Sequence, residues 1–319
     1  MTHPVPVVEI VRSGFVEGHH YGSAVVLSPD GEVQWSLGAT DVPMLPRSCV
    51  KPLQAVAMLR AGLDLDGELL ALASASHSGE TFHLEGVRRI LEGAGLDVEA
   101  LQTPPDYPLD DEERAQAIQA GHDRSSLAMN CSGKHAAMLA TCVANGWPID
   151  TYREPEHPLQ KAIRATLEDL TGHEVGTVAV DGCGAPLFDT TLQGLAASFQ
   201  RLAVATDGAE HRVAESVRAH PEWVSGTRRD EAALLKAVPG AICKAGAESC
   251  YAFATKDGRT VALKVDDGAA RARPVLMAAI LRKVGIADTD GVDAAAVERT
   301  GEHVLLGGGR PIGQLRALV

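Results

Sequence analysis

The sequence predicts a mixed α/β (α+β) fold: an antiparallel sheet built from the N- and C-terminal segments, with flanking helices and a central helical lobe. Three observations lead there. "SAVVLSPDGEVQWSLG" reads as strand, Pro29-Asp30-Gly31 turn and strand, with Val33, Trp35 and Leu37 alternating. "YAFATKDGRTVALKV" repeats that pattern near the C-terminus around Lys256-Asp257-Gly258. Between the two hairpins apolar residues recur at roughly 3.6-residue spacing, the period of a helix with one buried face. The two ends are then expected to share one sheet. This gives a sheet lobe over 1–65 and 238–319 and a helical lobe over 66–237, one discontinuous structural unit. Small ligands are expected in the cleft between the lobes.

Each element has a local reason. Residues 49–61 read as a helix flanking the sheet, with Pro52 tolerated only in its first turn. Segments 85–95, 134–146 and 157–170 carry helical spacing, and two of them close on Gly. Further helices are expected at 208–219, 229–237 and 273–284, the last against the sheet. "VAVDGCGAP" (178–186) reads as a buried strand ending in a Gly-rich turn, and "QTPPDYPLDDEER" (102–114) as a long mobile loop. His19-His20 is expected in an exposed loop and Gly307-Gly308-Gly309 in a turn.

Composition narrows the function. Lys+Arg number 29 and Asp+Glu 42, a net charge of −13, which repels phosphate backbones and anionic lipid and argues against nucleic-acid or membrane partners. No apolar run approaches the ~20 residues that span a bilayer. The first residues lack the basic flank and apolar core of a secretion signal, so a cytoplasmic protein is expected. The six cysteines are then expected to be buried thiols rather than disulfides. A homodimer is the expected assembly.

Ser48 and Lys51 are the first residues with chemistry. Three apart at a helix start, they share a face, and Ser48 would sit at the positive end of the dipole. About one Ser-x-x-Lys arises by chance in such a chain, so a capping serine with a surface lysine is the alternative. For Lys51 to act as a base, its pKa must fall by roughly three units, about 4 kcal/mol, through burial and a nearby cation. Lys244, in "ICKAGAES", offers that cation. Ser-x-x-Lys followed by Lys-small-Gly (Lys244-Ala245-Gly246) is also the layout of penicillin-recognising serine enzymes. Ser76-His77-Ser78 closes an apolar run like a substrate-facing turn, the alternative being a cap with Glu80 in the next helix. His77 and His83 would point about 240° apart on a helix, which discounts a metal held by them. Cys131, Lys134 and His135 gather at another helix start, and Asp181-Gly182-Cys183-Gly184 ends a strand.

Taken together, "RSCVKP", "SASHSGE", "NCSGKHAAML", "VDGCGAP", "KAGAES" and "KVDDGAARA" resemble the L-asparaginase II family, the thermolabile or rhizobial-type asparaginases, over about 7–315. The resemblance implies a fold similar to serine β-lactamases and glutaminases, and hydrolysis of L-asparagine to L-aspartate and ammonia. It implies two Ser-Lys pairs, mapping to Ser48 with Lys51 and Ser76 with Lys244. It points to Asp181 and Cys183 as site-lining residues. Some members hold zinc with a Cys and a Lys of the "NCSGKH" motif and a distant Cys. Here the first two are Cys131 and Lys134, and the third position aligns with Glu231 or Asp230; zinc is possible, and no cofactor is required.

The expected binding residues are Arg47, His77, Ser78, Asp181, Cys183, Gly246 and Arg271, with Asp181 facing the substrate ammonium and Arg47 or Arg271 its carboxylate. A glutaminase or a β-lactam or peptide amidase is the rival reading, since one methylene is worth only about 1–3 kcal/mol in a pocket. A non-catalytic ligand- or zinc-binding protein is the third.

Overall fold

A computed structural model describes residues 3–319. In chain order the first half comprises β1 (Val5–Arg12), β2 (Phe15–Leu27), β3 (Val33–Leu37), α1 (Lys51–Arg60), α2 (Gly67–Ala73), α3 (Thr81–Gly93), α4 (Asp111–Gln119), α5 (Ser132–Asn145) and α6 (Pro158–Thr171). Then follow β4 (Val178–Val180), β5 (Pro186–Phe188), α7 (Leu192–Val204), α8 (Gly208–Ala219), α9 (Pro221–Val224), α10 (Asp230–Ala237), β6 (Ile242–Gly246), β7 (Cys250–Ala254), β8 (Thr260–Val265), α11 (Ala272–Lys283), α12 (Ala294–Thr300), β9 (Val304–Gly307) and β10 (Arg310–Ala317). The contacts divide the chain into two compact units.

The sheet unit comprises the chain up to Cys49, Thr190–Val204 and Ala233–Val319. Its sheet has eight strands in the order β6-β7-β8-β2-β1-β10-β9, with β3 added to β2. The two chain ends meet as expected, β1 pairing antiparallel with β10 and β2 with β8, Ile10 opposite Leu315 and Ala24 opposite Leu263. Both α7 and α11 pack on β7 and β8. Every residue of β7 is buried as a result, so "CYAFA" is a continuous apolar run rather than an alternating one.

Val50–Asp189 and Ala205–Ala232 form the helical unit. Within it α1 packs on α6, α8 and α5, and α3 packs on α5. Helices α5 and α6 stop where the sequence indicates, at Gly146 and Gly172, whose φ values of 65° and 67° need a residue without Cβ. Pro158 opens α6, and the His157 ring accepts from the Leu159 N–H at 3.1 Å.

Several expectations are corrected. The 49–61 helix groups with the helical unit rather than flanking the sheet, and α7 takes that place, so the units do not divide at 65/66 and 237/238. Helix α7 was not expected, although Thr191 marks its start by accepting from the Gly194 N–H at 2.9 Å. Residues 102–114 are not one loop: Asp110 accepts from the N–H groups of Glu112 and Glu113 and starts α4 inside that range. Strand β4 is an exposed three-residue strand, with Val180 77% accessible, and its partner β5 is the buried member. His20 lies within β2, buried, with Nδ1 2.6 Å from Asp267 Oδ2, not in an exposed loop. Among the described residues no helix is long and apolar enough to cross a membrane.

Candidate active site

The site residues expected from sequence fall in both units, and each half has its own geometry. In the sheet unit, Arg47–Val50 form a 3-10 turn, with Ser48 partly exposed in it. Arg47 takes φ +52°, a left-handed conformation that costs a non-glycine residue about 1–2 kcal/mol. Such strain beside a reactive group is typical of sites whose surroundings over-determine the backbone. Gly246, at the end of β6, makes the turn possible. A Cβ there would meet Pro46 O at 2.8 Å, Cys49 N at 3.1 Å and Ser48 N at 3.2 Å. Cys49 Sγ donates to Lys244 O at 3.1 Å, tying the turn to the same strand. Burial pushes the Cys49 thiol well above its usual range, so it stays protonated. Lys244 is wholly buried on β6, and its Nζ donates to Ala245 O at 2.7 Å. Arg47 lies 3.5 Å from Glu248. Arg271 is exposed at the start of α11, where its charge acts on Asp267 and His303.

The helical-unit half is made by side chains. Lys51 opens α1, with Pro52 in the first turn as expected, and is 1% exposed. Its Nζ reaches three acceptors: Ala75 O at 2.5 Å, Ser76 Oγ at 3.0 Å and Cys131 Sγ at 3.1 Å. Ser76 follows α2 in an extended segment hydrogen-bonded to Val224 O and, through Ser78 N–H, to Ser225 O. Ser78 does not cap α3. Glu80 instead accepts from Thr227 N and Oγ1 at 2.8 and 2.7 Å, fastening this segment to the chain beside it.

Beyond Lys51 lies a second cluster. Lys134 Nζ donates to Cys183 Sγ at 3.1 Å, and Cys183 is hydrogen-bonded to Cys131. The Cys131 interaction, together with Lys134, holds the Cys183 thiol far below its usual range despite burial. Burial disfavours the Lys134 ammonium, yet Cys183, Cys131 and Asp181 outweigh it and raise its pKa. The Cys131 thiol is correspondingly pushed up by Cys183 and by burial, and Asn130 Oδ1 at 3.2 Å is a further acceptor for its proton. Asp181 sits in the tight β4–β5 turn, its carboxylate accepting from Gly182 N at 2.9 Å. His135 and Tyr152, which no motif pairs, lie 2.7 Å apart, Nδ1 to hydroxyl.

Cys183, rather than Glu231 or Asp230, is thus the residue found beside Cys131 and Lys134. Glu231 instead accepts from Arg229 Nη2 at 2.8 Å. Among the described residues no three His, Cys, Asp or Glu side chains gather as a metal site. Two sulfurs and one lysine nitrogen do converge, a donor set that suits zinc once Lys134 and Cys131 have lost their protons. His77 and His83 stack with ring centroids 5.2 Å apart, because His77 precedes the helix and the helical-wheel argument does not apply to it. All six cysteines are buried thiols and none forms a disulfide.

The sequence matches the family described as L-asparaginase II over residues 8–317. No curated protein sequence matches. Among solved structures, a β-lactamase from Mycobacterium bovis is 15% identical over 82% of this chain and 94% of its own, with a TM-score of 0.45. EstCE1, a hydrolase with promiscuous acyltransferase activity, is 12% identical over 77% and 88%, with a TM-score of 0.39. Mglu in its tris and glutamate form is 14% identical over 85% of this chain and 60% of that one, with a TM-score of 0.38.

Proposed function

The chain belongs to the L-asparaginase II family of hydrolases, and from that premise we propose that it hydrolyses the side-chain amide of L-asparagine through serine and lysine. The observation that carries the reading is Lys51, buried and within 3.0 Å of the Ser76 hydroxyl. With three N–H groups on three acceptors, Lys51 is an ammonium. As a neutral amine it keeps two N–H groups for Ala75 O and Cys131 Sγ, and its lone pair faces Ser76 Oγ, which then donates. That arrangement suits a lysine that takes up and returns a proton.

In the proposed reaction Ser48 attacks the amide carbon and its proton passes to lysine. Backbone donors of the turn at Arg47–Val50 stabilise the tetrahedral oxyanion. Ammonia leaves with the returned proton, and water releases aspartate from the acyl-enzyme. The resemblance implies the pairing of Ser48 with Lys51 and of Ser76 with Lys244. Asp181 is proposed for the substrate ammonium and Arg47 or Arg271 for its carboxylate, on charge complementarity. Ser78, Cys183 and Gly246 remain proposed contacts on the resemblance and motif reading. Zinc, where bound, would be held by Cys131, Cys183 and Lys134 and would supply a positive centre that keeps both sulfurs as thiolates.

The test is ammonia release from L-asparagine, L-glutamine and nitrocefin turnover, measured in parallel on the wild type and Ser48→Ala. Selective turnover of asparagine, lost in the variant, supports the reading. Equal or greater turnover of another substrate moves the assignment to that substrate.

A further inference from the structure

We propose that His77 is a positioning residue for Lys51: it joins the two chain segments that supply the Lys51 acceptors and fixes their separation. The proposal rests on reading Lys51 as the base.

Lys51 Nζ is held by Ala75 O and Ser76 Oγ from the segment after α2, and by Cys131 Sγ from the residue that starts α5. These segments are more than fifty residues apart in sequence, so something must hold them in register. His77 bridges them twice. Its backbone N–H donates to Asn130 O at 3.0 Å, and its ring Nε2 lies 2.8 Å from Ser132 Oγ. One anchor thus falls on each side of Cys131.

The direction of the ring bond follows from its surroundings. Ser132 Oγ lies 2.8 Å from Leu127 O, a carbonyl that only accepts, so the single hydroxyl proton is spent there. His77 must then carry its proton on Nε2 and donate it to Ser132. Burial, then His83 and Lys51, hold the ring neutral, so this is its one N–H. Nδ1 is left as a buried acceptor without a protein partner. His77 is 0% exposed. Its face stacks on His83, which donates through Nε2 to Glu222 O at 3.0 Å, so the ring is packed against a second anchored ring as well. A fully buried ring with its only proton committed to a neighbouring helix is built to hold segments together. The sequence motif, by contrast, suggested a substrate contact.

The test compares His77→Leu, His77→Gln and Ser132→Ala for kcat and KM on L-asparagine, with folding followed by thermal unfolding. Glutamine Nε2 can occupy the position of the ring Nε2 and donate to Ser132. Misplacing a catalytic group by ~1 Å costs about 10²-fold. His77→Leu and Ser132→Ala are therefore expected to lose roughly that factor in kcat with KM within about twofold of wild type, while His77→Gln recovers most of it. If His77→Leu does not fold, His77→Gln and Ser132→Ala decide the matter alone. A raised KM with unchanged kcat would overturn the proposal and make His77 a substrate ligand. Wild-type kcat in Ser132→Ala, or His77→Gln with kcat as low as Ser132→Ala, would also overturn it. Lys51→Met, assayed alongside, separates the two layers. Full activity there defeats the base assignment itself, whereas inactive Lys51→Met beside fully active Ser132→Ala defeats only the role of His77.

Discussion

The two sets of candidate residues, one in each unit, are positioned by different means. Around Ser48 the backbone does the positioning: a left-handed Arg47, a 3-10 turn, and Gly246 leaving room for Pro46, Ser48 and Cys49 to approach β6. Around Lys51 side chains do it, through Ser76, His77, Cys131, Ser132, Lys134 and Cys183 in a buried polar network. Backbone positioning tolerates change in side-chain chemistry but not in volume. A buried network has the opposite tolerance, because every unsatisfied or unpaired member costs the full desolvation of a polar group or charge.

Removing one serine from each half gives the largest contrast. Ser48→Ala is expected to lower kcat on asparagine by about 10³-fold or more, as loss of a nucleophile does. Ser76→Ala is expected to lose about 10²–10⁴-fold, as loss of a proton-transfer partner does. Steady-state kinetics with single-turnover trapping of the acyl-enzyme distinguishes them: Ser76→Ala still acylates slowly and Ser48→Ala does not. Acylation of Ser48→Ala would exchange the two roles.

Charge breaks the helical-unit half next. Cys183→Ala leaves the Lys134 ammonium buried without its thiolate and is expected to cost about 3 kcal/mol in urea unfolding. Lys134→Met added to Cys183→Ala should return most of that loss, because the orphaned charge is gone. Equal stability of the single and double variants would show that the pair contributes nothing.

Acid acts on the same half. His83 and His135 are both lowered to about 4, chiefly by burial, and His77 lies well below 6.5 for the same reason. In each case the unfolded chain takes up the proton first, so the stability is full above about pH 6.5 and falls as pH drops from there towards 4. Hydrogen exchange at pH 7 and pH 5 is expected to show faster opening of α3 and α5 at the lower value, with β7 and β8 less affected. Uniform protection at both would contradict the sign.

Two glycines close the series. Gly246→Ala is expected to cost about 1–3 kcal/mol, because backbone must move, and to reduce kcat as the Ser48 turn shifts. Gly146→Ala, where nothing lies within 4 Å of the added Cβ, should cost only the left-handed strain, about 1–2 kcal/mol, and leave kcat unchanged.

This division also explains what the sequence revealed. Turns and caps are local, so the Asp-Gly hairpins, the Gly146 and Gly172 helix ends and the meeting of both chain termini in one sheet were legible. Helix α7 was not assigned, although Leu192, Leu195, Ala196, Phe199, Leu202 and Ala203 recur at helical spacing and form its buried face. Ser48, Lys51, Ser76 and Lys244 were singled out through ordered motifs, and of these the structure brings Lys51 to Ser76. The meeting of Cys183 with Cys131 and Lys134 was not legible, since no local pattern says which of six cysteines will meet a helix start fifty residues away. The Gly-flanked turn around Cys183 was the available signal, for it frees a thiol to approach another backbone. His77 was read as part of a substrate-facing turn, its relation to His83 judged by helical geometry, and so both its stacking on His83 and its bond to Ser132 were missed.

The central claim is that Lys51 is the proton-transferring residue of an asparagine-hydrolysing site. Ammonia release from L-asparagine by Lys51→Met, which keeps the volume and removes the amine, tests it most directly. The account predicts a folded protein whose kcat falls by about 10²–10⁴-fold. A folded Lys51→Met protein with wild-type ammonia release would contradict it.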